Sequence, residues 1–563
     1  VPAWAVANHP QPMIAAEGVM ADGQMQQDQG MDAVPSEVDV VIVGAGFAGM
    51  YLIKLLRERG LNVVALEAGT GVGGTWYWNR YPGARCDIES MQYSLQFDKE
   101  IEQEWDWSER YAPQPEILAY ANHVADKHDI RRNVCFNTFV TDAEWDEATA
   151  TWTLTTKGGD KVRAPYYIMA TGCLSVPNST RFPGEETFKG PKYRTGLWPH
   201  HDVRFDGMRV GVIGTGSSAI QSIPIIAEQA AELTVFQRTP NYSVPARNHD
   251  MDPAHRDAVK ADYAGLRERQ RMSFAAADFR GIPDTVAIKA TEDERTAEYQ
   301  SRWDEGGLGF MASYADLLFN PDSNLTAQNF VREKIRETVD DPATAELLCP
   351  SNTIGCKRLC VDTNYYATYN LPHVSLVDIS GSPIEKIDET SIHTGGTAYE
   401  VDAIVFAIGF DAMTGALLRV DIKGRDGISL RDHWKDGPKT YLGLTVAGFP
   451  NMFTVTGPGS PSVFTNMLPS IEHHCEWITR AITDMREGGH NAIEATPEAE
   501  TDWTAYNLEV AGAHLRSSCS SWYTGENIAG KPKVFMPFIG GFAHYVDTAE
   551  AIAADDYRGF EVA

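Results

Sequence analysis

The sequence predicts an α/β protein with two dinucleotide-binding (Rossmann-like) domains, the second inserted in the first, together with a helical insertion. Three observations predict it. A strand, glycine turn, helix and second strand follow one another near the start of the chain; the same unit recurs at Gly214; and two strand-like segments could carry the chain out of one unit and back into the other.

The first unit opens with Val38 to Val43, a β-branched run suited to a strand buried in a parallel sheet. Gly44-Ala45-Gly46-Phe47-Ala48-Gly49 follows, then Met50 to Arg59 with apolar residues at helical spacing. Gly60 closes that helix and Val63 to Leu66 begins the next strand. Gly44 serves the tight turn, Gly46 the close approach of backbone to a pyrophosphate, and Gly49 the packing of helix on strand. Glu67 ends the second strand, where a carboxylate accepts ribose hydroxyls. This unit suits FAD.

The second unit repeats the pattern with one change. Arg209 to Ile213 reads as a strand, Gly214, Gly216 and Ala219 take the fingerprint positions with Ser217 and Ser218 between them, and Leu233 to Phe236 reads as the next strand. At its end stand Gln237-Arg238-Thr239 in place of a glutamate. A carboxylate there would repel a 2′-phosphate, whereas a guanidinium binds phosphate in a bidentate fork, so this unit suits NADPH over NADH.

Tyr167 to Gly172 and Ala403 to Asp411 read as crossovers between the two units. The expected division is a disordered tail over 1–36, a first FAD segment over 37–173, an NADPH domain over 174–406 and a second FAD segment over 407–563. Residues 240–348 form the helical insertion, with charged segments at helical spacing over Arg256–Arg271, Glu292–Glu305 and Ala327–Val339, placed to cap a cleft.

Composition narrows the partners. Over 563 residues the net charge is −29, with 22% charged and 43% hydrophobic residues, as in a soluble globular protein. Such acidity argues against nucleic acid or anionic membrane surfaces, which demand positive potential. No apolar run is long enough to cross a bilayer, and the first residues lack the basic start and apolar core of a signal peptide. The eight cysteines have no pairing rhythm. Cys356 and Cys360 alone approach a ligand-like spacing, but nothing completes a zinc site, and no metal is expected. Reduced thiols in a cytoplasmic monomer are the expectation.

The stretch Gly73-Gly74-Thr75-Trp76-Tyr77-Trp78-Asn79-Arg80-Tyr81-Pro82-Gly83-Ala84-Arg85-Cys86-Asp87 is the most distinctive in the chain. Its Gly74-x-Trp76, Tyr81-Pro82-Gly83 and Asp87 match a signature of the type I Baeyer–Villiger monooxygenases, and the chain resembles that family, its phenylacetone and steroid branches in particular, from about Glu37 to near the C-terminus. The family's principal signature, Phe-x-Gly-x-x-x-His-x-x-x-Trp-Pro, aligns with Phe188 to Pro199 at every fixed position except the histidine, which is Arg194. An arginine cannot transfer a proton near neutral pH, but it can tether an interdomain linker, and the tether is the expected role.

The resemblance implies conversion of ketones to esters or lactones with NADPH, FAD and O2 through a C4a-peroxyflavin, with sulfoxidation as a companion activity. It implies that Arg358, in Gly355-Cys356-Lys357-Arg358, is the active-site arginine, that Asp87 is its acidic partner, and that Lys357 joins Arg238 and Thr239 at the 2′-phosphate. Trp76 would lie near the flavin; Ser462, Val463, Phe464 and Met467 would line the substrate pocket; Trp522 would anchor a mobile loop near 517–533. Aryl, cyclic or polycyclic ketones are the implied substrates. An amine- or sulfide-oxidising flavin monooxygenase, or an uncoupled NADPH oxidase, is the alternative.

Overall fold

A computed structural model describes residues 30–563. Most of the expected tail, residues 1–29, lies outside the described residues. Residues 30–36 are docked rather than trailing: Met31 N donates to Val134 O at 2.8 Å, and Met31 and Val34 pack against buried Trp145 and Trp152 and their neighbours. The ordered chain thus starts earlier than the sequence suggests, because Met31 and Val34 find apolar surface to cover.

Two five-stranded parallel sheets organise the molecule. The first runs Met452–Thr454, Tyr166–Met169, Val40–Val43, Val63–Leu66 and Val134–Cys135 in spatial order. The second runs Val374–Asp378, Glu232–Gln237, Arg209–Ile213, Ala403–Phe406 and Lys192–Arg194. Both central strands carry β-branched residues, and Val40, Val41, Ile42 and Val212 are fully buried; the one charged side chain in them, Arg209 at a strand start, pairs with Glu400 and Asp402. In each sheet a glycine turn leads straight into a helix, Phe47–Glu58 or Ser217–Ala227. The chain returns to the first sheet through Met452–Thr454, and the helix Met467–Gly488 then packs on Phe47–Glu58.

Between Pro240 and Leu348 the chain is mainly helical, with two changes from expectation. The segment Arg256–Arg271 is two helices, Pro253–Ala261 and Tyr263–Met272, because Asp262 ends the first and its carboxylate caps the second by accepting from Gly265 N. Glu292–Glu305 forms as expected, held by a Thr291–Glu294 capping box. The third helix starts earlier than the sequence suggests, at Pro321, behind an Asn320 cap. No helix among the described residues is long and apolar enough to cross a membrane.

Candidate active site

The first glycine turn makes a cradle. Gly44 sits at φ 107°, and a Cβ there would meet Ala170 O at 2.6 Å. At Gly46 and Gly74 two backbones meet: a Cβ on Gly74 would come within 2.9 Å of Gly46 Cα. The helix behind them begins at Gly46 with no side-chain cap, so its positive end stays open to an anion. Glu67 closes one side, its two oxygens accepting from Ala45 N and Gly69 N at 2.7 Å each. Burial pushes the Glu67 carboxyl up, against hydrogen bonds from Ala45, Gly69 and Trp78. Thr75 lies exposed beside the cradle, while Trp76 is buried and donates Nε1–H to Tyr93 OH at 3.0 Å. A capless helix end, two side-chain-free turns and a strand-end carboxylate suit the pyrophosphate and ribose of FAD.

The second turn has the same form with opposite charge. Its helix also begins without a side-chain cap, and the space where Gly216 would carry a Cβ is open. Ser217 is exposed and Ser218 partly so. Thr215 Oγ1 ties the turn to Thr239 O at 2.9 Å, which places Arg238 and Thr239 at its rim, both exposed. Lys357 is half-buried, its ammonium pulled down by burial and then by the Arg238 charge. No carboxylate pairs with Arg238 or Lys357 among the described residues. Two neighbouring cations without a counter-charge suit a phosphate dianion.

Arg358 joins two further segments. Its Nε and Nη2 donate to Asp87 Oδ2 at 3.1 and 2.7 Å, and its Nη1 donates to Val463 O at 2.7 Å. Burial works against the guanidinium's charge, and Asp87, helped by Tyr523, more than restores it, so Arg358 is held above the ordinary arginine range. Of five N–H donors, these bonds use three. Asp87 lies in a bend and caps no helix, so its carboxylate is committed to Arg358.

The apolar wall is built around Phe464. Its ring lies 4.5 Å from Tyr523 and stacks on Phe535 at 5.8 Å. Ser462, two residues before it, is buried at φ 42°, a left-handed conformation unfavourable for serine and held by the surrounding structure. Met467 starts the helix behind this loop and packs on the same cluster. Trp522 is half-buried with its ring 4.3 Å from Tyr523, in a turn closed by a Ser521–Thr524 capping box. The segment that follows is fastened down: Asn527 Nδ2 donates to Phe410 O at 2.7 Å, and Lys531 Nζ reaches Asp411 Oδ1 at 2.6 Å.

The structure thus joins Arg358, Asp87 and Val463 in one cluster, and Lys357 with Arg238 in another. Two features escaped the sequence. Cys356 and Cys519 form a disulfide, contrary to the expected reduced thiols, and it staples the Arg358 loop to the segment before Trp522. Spacing could not disclose that pair, since its halves lie 163 residues apart. Arg516 also stands at the site without a motif to mark it, whereas Tyr523 comes with the loop segment that Trp522 already marks. Arg194, at the end of an edge strand, donates to buried Glu185 at 2.8 Å and to Thr180 O at 3.1 Å, with its guanidinium 4.6 Å from the Phe406 ring.

Two glycine turns opening capless helices, one beside a strand-end carboxylate and one beside two cations, fit a flavoprotein oxidoreductase that also binds a nicotinamide nucleotide. Residues 41–296 match the pyridine nucleotide-disulphide oxidoreductase family model. A phenazine N-monooxygenase of Lysobacter antibioticus is 40% identical over 94% of this chain and 98% of its own length. A Baeyer–Villiger monooxygenase of Pseudooceanicola batsensis is 39% identical over 94% and 97%. A solved oxidised steroid monooxygenase bound to NADP superposes with a TM-score of 0.90 at 50% identity, covering 94% of this chain and 99% of that one. The chain belongs to the Baeyer–Villiger monooxygenase family, FAD- and NADPH-dependent enzymes that convert ketones to esters or lactones.

Proposed function

We propose that this chain oxygenates aryl, cyclic or polycyclic ketones with O2 at the cluster around Arg358, as a cytoplasmic monomer. Bound FAD and NADPH supply the redox and oxygen chemistry; the chain supplies position, charge and shelter. Glu67, Gly44, Gly46, Gly49, Gly74, Thr75 and Trp76 hold the flavin nucleotide, and Gly214, Gly216, Ser217, Ser218, Arg238, Thr239 and Lys357 hold NADPH. Trp522 closes the site over the nicotinamide.

One observation carries the reading: Arg358 bonds both to Asp87, in the segment that begins at Gly74 in the flavin cradle, and to Val463, in the apolar loop. A fixed guanidinium there stabilises negative charge where it develops, which is the largest single contribution such a site can make. Its two uncommitted N–H donors can meet an anionic oxygen or a ketone oxygen. Asp87 holds the group still, and the Phe464 wall excludes water. A panel of small and bulky ketones with NADPH, scored for ester or lactone against hydrogen peroxide, tests it. Peroxide alone from every ketone would leave an oxidase.

A further inference from the structure

Arg516 stands beside this cluster with nothing to neutralise it. Its guanidinium lies over the Phe464 ring at 4.3 Å. No carboxylate pairs with it among the described residues, and its Nε is buried without a hydrogen-bond partner. Arg358, Arg302, Arg267 and Arg194 each have an acid, Asp87, Glu298, Glu102 and Glu185, and half-buried Arg80, Arg295 and Arg332 donate to backbone carbonyls instead; Arg516 shows neither kind of partner among the described residues. In a chain with 77 acidic residues against 48 basic ones, that lack is not for want of partners. Removal from water pulls the Arg516 guanidinium down to about 10, the Arg358 charge adds to this, and Tyr523 opposes it. It is still a cation at neutral pH.

Its location is equally specific. Arg358 grips Val463 O while Arg516 covers the next residue, Phe464, so two guanidinium groups bracket one stretch of the apolar wall. The titratable neighbours of Arg516 are Arg358 and the Tyr523 phenol, whereas Lys357 feels Arg238. Arg516 therefore belongs to the carbonyl end of the site, away from the cations suited to the 2′-phosphate. The Cys356–Cys519 bond fixes the two arginine-bearing loops against each other.

We infer that Arg516 is an anchor for an anionic substituent on the ketone, so that this site takes keto acids in which a short apolar body separates carbonyl from carboxylate. The inference rests on the ketone-oxygenating reading above. A guanidinium receives a carboxylate through two parallel N–H donors, and the ring beneath Arg516 leaves its edge free to do so. The carboxylate takes no part in the reaction; it sets which end of the molecule faces Arg358.

The test compares 4-acetylbenzoate with methyl 4-acetylbenzoate on the FAD-loaded enzyme, as the ratio of their kcat/KM values. The ratio should favour the acid about ten- to a hundredfold, the equivalent of one charge-assisted hydrogen bond, mostly through KM. Arg516→Gln should collapse it towards one and Arg516→Lys should restore part of it. Equilibrium binding of 4-acetylbenzoate, followed by the flavin absorbance, should weaken in parallel. A ratio near one in the unaltered enzyme, or the same ratio in Arg516→Gln, overturns the inference. So does an equal loss of NADP+ affinity in Arg516→Gln, which would assign the cation to the nucleotide. If neither ketone is oxygenated yet 4-acetylbenzoate binds in an Arg516-dependent way, the anion site stands and the ketone reaction falls.

Discussion

Replacing Asp87 with asparagine removes one negative charge and almost no volume. In the native protein its Oδ2 takes two Arg358 donors, at 3.1 and 2.7 Å, with the two side chains 28% and 23% exposed. Unit charges about 4 Å apart attract by about 4 kcal/mol at an effective dielectric near 20. Partial exposure to water reduces this to about 2 kcal/mol. Both bonds end on one oxygen, and the asparagine carbonyl oxygen has two lone pairs to accept them, so the loss is of charge, while Val463 O still holds Nη1. Spent on the reaction barrier, about 2 kcal/mol is about a thirtyfold change in rate. Stopped-flow reduction of the flavin by NADPH should slow by that order, and the ester formed per NADPH should fall. NADP+ affinity should change far less, because Arg238 and Lys357 are untouched. If Asp87→Asn kept both the reduction rate and the ester yield within twofold, Asp87 would not be what positions Arg358.

Three further outcomes can be checked on the folded protein. Closing a loop of 163 residues with the Cys356–Cys519 bond is worth at most about 5 kcal/mol in the chain-entropy model, so Cys519→Ser or full reduction should lower Tm by several degrees; an unchanged Tm, or a mass showing eight free thiols in place of six, would remove the staple. Glu472 is pushed up to about 8 by burial from an ordinary value of 4.5, against hydrogen bonds from Gln96 N and Phe97 N. Folding favours its protonated form, so its contribution is complete below pH 4.5 and is lost as pH rises through about 8. Glu472→Gln should therefore gain on the unaltered protein by on the order of 2 kcal/mol between pH 5.5 and 8.5 in denaturant unfolding, and parallel curves would refute it. Arg194→Leu leaves buried Glu185 with exposed Arg181 as its one cation and Phe182 N as its other donor, and should cost about 3 kcal/mol, with Arg194→His recovering part; equal stability of all three would deny the tether.

The sequence disclosed what backbone chemistry dictates locally. Gly44 and Gly214 are legible because only glycine adopts φ 107° and 115° against a carbonyl, and the strands around them because a doubly covered parallel sheet needs β-branched runs. The Arg358–Asp87 pair was visible only through the family motif, since no periodicity links residues 271 apart. Arg516 and the Cys356–Cys519 bond were invisible for the same reason. Each acquires meaning from a neighbour brought by the fold, and an arginine with no acid beside it looks like any other arginine in a list of residues. The tail boundary was misplaced because docking of Met31 depends on a groove that composition does not reveal.

Arg194 shows why a departure from a motif need not be a departure from its purpose. The strand Lys192–Arg194 pairs with Ala403–Phe406, and the guanidinium lies on the Phe406 ring of that partner strand. From there it reaches Glu185 and the carbonyls of Thr180 and Asn178, so the linker is pinned to the second sheet. Asn178 in turn touches the carbonyls of Ile408 and Asn527, the latter in the segment after Trp522. These contacts need donors with reach, and none needs a proton to be exchanged. A histidine could donate two at most, whereas arginine supplies five in a fixed plane and keeps its charge at every working pH. The substitution therefore fits a position whose task is to hold the linker and the C-terminal segment in register, leaving the charge that faces the chemistry to Arg358.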